Sequence, residues 1–168
     1  MRHTFFILFA AVLIVAGCSN HSDNNNSEGA SSSYVDLGLP SGTKWKSGNE
    51  TGGEGGFYTY GEALAAFGDQ LPTKEQFEEL MAVCIWKWTG KGYNVKGGGN
   101  GNKIYLPAEG YRGYDDGGVG GVGSHGGYWS STPYGSESAW RLLFNSGYHG
   151  MNYFDRYFGQ SVRLVQSL

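Results

Sequence analysis

An α+β domain, with short helices packed on a twisted antiparallel sheet of few and short strands, is what this sequence predicts. Three observations lead there. Helical patterns fall early in the chain and alternating patterns late. Thirty of the 168 residues are glycine, which supplies many turns. Charged residues make up only 16%, which leaves aromatic packing rather than surface ion networks to hold the fold.

The elements follow in order. Tyr34-Val35-Asp36-Leu37-Gly38-Leu39 alternates as a strand, and Pro40-Ser41-Gly42 turns it toward a second short strand around Lys44-Trp45-Lys46. Ser47 to Gly56 is a polar, glycine-bearing loop, and Tyr60 to Phe67 has helical composition. A second helix begins at Thr73, where Thr73 and Gln76 have capping-box spacing; Phe77, Leu80, Met81 and Cys84 then recur as one apolar stripe. Ile85 to Thr89 alternates, and 93–96 and 103–106 read as a hairpin around the glycine- and asparagine-rich segment 97–102, ended by Pro107. Glu109 to Gly127 is expected to be a long loop, with further strands at 128–132, 138–144 and 160–166.

Ahead of this domain stands a different kind of segment. Arg2 and His3, the apolar run Phe5 to Val15 and the ending Val15-Ala16-Gly17-Cys18 read as a secretory signal over residues 1–17. The run falls short of the roughly 20 residues that a membrane-spanning helix needs. Residues 18–33 contain no bulky apolar side chain and read as a flexible polar tether, with the domain occupying 34–168. Cys84 would then be the one thiol besides Cys18. Its place in an apolar pattern makes it a small buried hydrophobe rather than a nucleophile.

The run Tyr148 to Phe158 is read as the recognition element. Tyr148, His149, Met151, Asn152, Tyr153, Phe154, Asp155, Tyr157 and Phe158 stand almost side by side. They show no clean period of 2 or 3.6, so a strand or helix burying one face is not expected there. Rigid aromatic rings interleaved with adaptable polar groups have the chemistry of a contact surface. Trp129, Trp140 and Arg163 are expected to support it from beneath.

Several blocks carry a resemblance. They are Tyr34 to Trp45, Leu71-Pro72-Thr73-Lys74-Glu75-Gln76-Phe77, Ile104 to Arg112, Gly127 to Thr132 and Ser161 to Val165. With them the chain, over about Tyr34 to Val165, resembles the Fibrobacter succinogenes major paralogous domain. That resemblance implies a C-type lectin-like fold, related to the formylglycine-generating enzymes, in which the two chain ends pair and the C-terminal strands display a solvent-facing patch. Some such relatives are variable proteins of diversity-generating retroelements, whose C-terminal segment is rewritten at template adenines. All nine residues of the patch except Met151 are reachable from an asparagine codon by changing its first two bases. The ending Val-Ala-Gly-Cys resembles the bacterial lipobox, which implies lipidation of Cys18 and anchoring in the cell envelope, at the outer membrane or cell surface.

Other chemistries find little support. The reactive cysteines of the formylglycine-generating relatives have no counterpart after Cys84, so no enzymatic activity is expected. Asp115 and Asp116 with Glu109 lack calcium-loop spacing. Residues 117–123 lack the strand, helix and Lys-Ser/Thr of a phosphate loop. His125 and His149 lack partners at zinc-ligand spacing, so neither a metal site nor a cofactor is expected. A formal charge of −3 argues against nucleic acid as a partner. The expectation is a lipid-anchored extracytoplasmic protein that binds an unidentified surface ligand, protein or glycan. The rival is an envelope-assembly module whose aromatic C-terminus packs internally.

Overall fold

Two capping boxes start the two helices of the computed structural model, which describes residues 33–167. The Thr73 hydroxyl accepts from the Gln76 amide while the Gln76 side chain accepts from the Thr73 amide, and helix α2 follows over Lys74–Val83. Thr59 and Glu62 make the same reciprocal pair ahead of helix α1, Tyr60–Phe67. A short 3₁₀ turn over Gly68–Gln70 links the two. Cys84 lies one residue beyond α2, so the expected apolar stripe is Phe77 and Leu80 buried, with Met81 packed beside them.

The rest is antiparallel sheet. Strand β1 (Tyr34–Asp36) pairs with β2 (Lys44–Lys46), and β2 pairs on its other side with β11 (Val165–Gln166), so the first and last strands of the domain share one small sheet. A second sheet joins β3 (Cys84–Trp88), β4 (Gly92–Gly97) and β5 (Lys103–Pro107) as a meander. Within the expected long loop, β6 (Tyr111–Arg112) pairs with β7 (Val119–Gly120). The third three-stranded sheet runs in the order β10–β9–β8, from β8 (His125–Tyr134), β9 (Ser138–Asn145) and β10 (Tyr148–Asp155).

This corrects the sequence reading in three places. The strands are neither few nor uniformly short, because eleven occur among the described residues and β8 spans ten. The run expected to lack strand order is β10, paired residue for residue with β9 from Tyr148↔Asn145 to Asp155↔Ser138. The segment expected as a strand over 160–166 is strand only at Val165–Gln166, preceded by isolated bridges at Gln160 and Ser161. The described portion is therefore α+β, mostly antiparallel sheet with two short helices.

Two apolar clusters hold the elements together. Trp45, Phe77, Leu80, Val95, Ile104, Tyr128, Leu142 and Phe144 form the heart of one, where α2, the β3–β5 sheet and one face of the β8–β10 sheet meet. Tyr58, Tyr60, Leu71, Trp129, Ala139 and Val162 form the other, on α1 and the opposite face. Close packing demands glycine at Gly126, where an added Cβ would lie 2.1 Å from the buried Phe144 ring.

Gly126→Ala is therefore expected to destabilise the fold by about 1–3 kcal/mol, the usual cost of overpacking a filled core. Urea unfolding measures it, and an unchanged midpoint would remove this packing account.

Candidate functional site

The pairing with β9 decides where each residue of β10 points, since directly opposed residues share a face and neighbours alternate. His149, Met151 and Tyr153 lie opposite Phe144, Leu142 and Trp140. Their face is that of the first cluster. The His149 ring stacks on Trp86 at 4.5 Å with 6° between planes. Burial holds that imidazole below its ordinary pKa, so it is neutral at pH 7. Met151 packs against the cluster itself. Tyr153, 50% exposed, stacks on Tyr134 at 4.1 Å with Trp140 edge-on to it.

The alternate residues Tyr148, Asn152 and Phe154 lie opposite Asn145, Arg141 and Ala139 on the other face. Phe154 packs on the cluster that contains Trp129. Its ring also gathers aromatic neighbours, with Phe158 at 4.6 Å and Tyr111 at 6.1 Å. Tyr157 contacts Phe158 at 4.9 Å and Tyr114 at 4.8 Å. Asp155 fixes the turn by accepting from Ser138 Oγ and from the Tyr157 hydroxyl. Arg156 braces the same turn by donating to the carbonyls of Ser138 and Gly135. The result is a rim of rings on which Tyr114 is 64% and Tyr157 45% exposed, while Tyr148, 48% exposed, stands at the other end of β10.

The nine sequence-predicted residues are thus divided between two faces and a turn rather than gathered in one patch. Tyr148, Asn152, Phe154, Tyr157 and Phe158 fall on the Tyr111–Tyr114 side; His149, Met151 and Tyr153 do not. Sequence reasoning missed Tyr111 and Tyr114. Their only trace was aromatic residues set among glycines in a segment read as a plain loop.

Of the three residues expected beneath the run, Trp140 stands edge-on beside Tyr153 and Trp129 lies in the cluster on which Phe154 packs, whereas Arg163 is away from β10. Its guanidinium donates to Asn49 Oδ1 through Nε and Nη2, to the carbonyls of Lys46 and Ser47 through Nη1, and to the Tyr105 carbonyl through Nη2. It is buried and saturated, and it ties β2, β5 and the C-terminal segment together.

Arg141 is the opposite case. It is 6% exposed, on β9. Among the described residues it makes one hydrogen bond, from Nη1 to Gln160 Oε1 at 2.8 Å. Its Nε is enclosed without an acceptor, as is Nε2 of Gln160. The guanidinium carbon sits 3.6 Å from the centre of the Phe154 ring, a contact worth about 0.5–2 kcal/mol. Burial draws its pKa down to about 10, so it remains charged at neutral pH. An enclosed cation without a counter-ion costs on the order of several kcal/mol. Beside it opens a cavity of about 240 Å³, walled by Tyr111, His125, Leu143 and Phe154 with Gly127 at its floor.

A second cavity of about 690 Å³ is lined by Glu50, Glu109, Phe57, Val119 and Val122. Both carboxylates there have partners. Glu50 pairs with Lys46, and Glu109 Oε2 accepts from Asn49 Nδ2 and Ser161 Oγ. Cys84 is free and buried, and burial, with Glu79 adding, pushes its thiol up to about 11. A thiol of that acidity is protonated at neutral pH and is a poor nucleophile. Among the described residues no group of three or more His, Cys, Asp or Glu is placed to hold a metal ion, and no helix is long and apolar enough to cross a membrane. Cys18, the signal segment and nearly all of the tether lie outside the described residues.

A family model described as a domain of unknown function, DUF8237, matches residues 92–165. That span is less than half of the chain, and it contains β4 to β10 together with Arg141, Arg163 and the whole aromatic run. No curated protein and no solved structure matches the chain.

Proposed function

We propose that this is a binding protein of the bacterial cell envelope, anchored through lipidated Cys18, which meets a protein or glycan ligand with the surface built from Tyr148, Asn152, Phe154, Tyr157 and Phe158 together with Tyr111 and Tyr114. One observation carries the reading. Tyr148 is held by strand pairing and Tyr114 and Tyr157 by each other's rings, yet all three keep about half or more of their surface in water. Pre-ordered, exposed aromatic groups lose little entropy on contact and are the residues that dominate binding energy at interfaces.

The sequence resemblance to the major paralogous domain and its C-type lectin-like relatives supports the same reading. It extends to targeted diversification, since the exposed Tyr148 and Tyr157 and the half-buried Asn152 and Phe158 belong to the asparagine-codon set. The rival reading, an assembly module with a packed aromatic end, is favoured by one half of β10, where His149 stacks on Trp86 and Met151 enters the core.

Three outcomes are expected. On glycan and surface-protein arrays, Tyr114→Ala combined with Tyr157→Ala weakens the captured ligand about tenfold or more without lowering the thermal midpoint, because each truncated anchor removes about 1 kcal/mol or more; equal capture by the variant would remove this surface from the mechanism. Replacement of Cys18 by alanine moves the protein from the membrane to the soluble fraction on centrifugation, and continued sedimentation with membranes would refute lipid anchoring. The DNA beside the gene carries a reverse transcriptase and a near-copy of the C-terminal coding segment differing at template adenines; the absence of both ends the diversification reading.

A further inference from the structure

The fold buries two arginines and treats them differently. Arg163 has an acceptor for each of its three nitrogens, all from the protein itself. Arg141 has spent only Nη1, on a neutral amide oxygen. Among the described residues no carboxylate forms an ion pair with it, and its enclosed Nε points to no acceptor. A saturated buried arginine is a structural clamp. An unsaturated one at the wall of a cavity is a group whose partner is not part of the chain.

The surroundings keep that cavity open. Gly127 has no side chain where a Cβ would lie 2.0 Å from Gln160 Oε1 and 3.4 Å from Arg141 Nη1, so glycine lets both polar groups reach the floor. Gln160, itself fully buried, holds Nη1, and Nε is closed off by the surrounding chain, so Nη2 is the donor left for a guest. Phe154 covers one flat face of the guanidinium.

The chemistry of the guest follows from these walls. A guanidinium N–H left without an acceptor matches an oxygen of a carboxylate in a charge-assisted hydrogen bond. A single guanidinium, with no lysine or second arginine lining the cavity, matches a single negative charge. Tyr111, Leu143 and Phe154 offer apolar and aromatic surface to whatever the carboxylate is attached to. The volume of about 240 Å³ lies just under the roughly 300–1,000 Å³ of drug-sized sites, so the guest is small. We propose that Arg141 seats the carboxylate of a small monocarboxylic acid with an aromatic or apolar body in this cleft. The cleft shares Tyr111 and Phe154 with the macromolecular surface proposed above, but neither Tyr114 nor Tyr157 lines it.

The test titrates the full chain in detergent with benzoate, benzamide and inorganic phosphate at constant ionic strength, followed by ligand-observed NMR and by the thermal midpoint. Benzoate is expected to bind saturably and raise the midpoint, with benzamide, which has the same shape without the charge, about tenfold or more weaker. Phosphate is expected to give no saturable response. Arg141→Met abolishes benzoate binding. Leu143→Trp, which fills the cleft from its half-buried wall and leaves the guanidinium untouched, does the same and decides the matter should the arginine variant fail to fold. The Tyr114→Ala, Tyr157→Ala pair retains the benzoate response, so the surface reading and the cleft reading fail separately. Absence of saturable benzoate binding, equal binding of benzamide or phosphate, or benzoate binding that survives Leu143→Trp overturns the proposal.

Discussion

Arg163 is the point on which the rest of this domain hangs. A single guanidinium gathers the carbonyls of Lys46, Ser47 and Tyr105 and the side chain of Asn49 around the C-terminal segment. It thereby fixes the strand pairing of the chain ends to the β3–β5 meander. Asn49 passes the constraint on, since its amide donates to Glu109 and to the Tyr128 hydroxyl at the head of the main sheet. Most of those acceptors precede residue 92, where the matched family region begins. Residues 92–165 taken alone would leave Arg163 with the Tyr105 carbonyl as its one remaining partner of these.

The same logic separates structure from function elsewhere. Buried polar groups in a folded chain are paired, and exceptions call for an explanation. Glu109, Asn49, Ser161 and Arg163 answer one another completely enough to need none. Arg141 and Gln160 answer one another only in part, and they do so beside an opening rather than in the solid core. The β8–β10 sheet thus has one face committed to α2 and the tryptophans of β3, and another where aromatic rings, a cation and space coexist.

Much of the scaffold was legible from residue order. Thr73 and Gln76 announced α2, and 93–96 with 103–106 announced a hairpin, because local capping and turn chemistry act over a few positions. Thr59 and Glu62 carried the same message for α1, but a helix with Gly61 in its first turn gave too weak a pattern to weigh it. β10 was illegible for a physical reason. One face carries His149, Met151 and the half-exposed Tyr153 and the other Tyr148, Asn152 and Phe154, so both faces mix rings with polar groups and the usual alternation vanishes. What fixes its register is the two-residue Ser146–Gly147 connection from β9, which aromatic composition does not reveal. Arg141 and Arg163 likewise look alike as letters, each inside an alternating segment. Only the packing tells the saturated one from the unsaturated one.

β10 ends its sheet, bound to β9 along one side. Backbone pairing, not side-chain identity, holds such a border strand in place, so mutational tolerance along it should follow the pleat. Exchanges at Tyr148 and Asn152 alter what the surroundings touch while leaving the frame intact, whereas exchanges at His149 and Met151 disturb the interior. A lineage that varied this strand would therefore find new specificities at codons 148 and 152, and misfolding at 149 and 151.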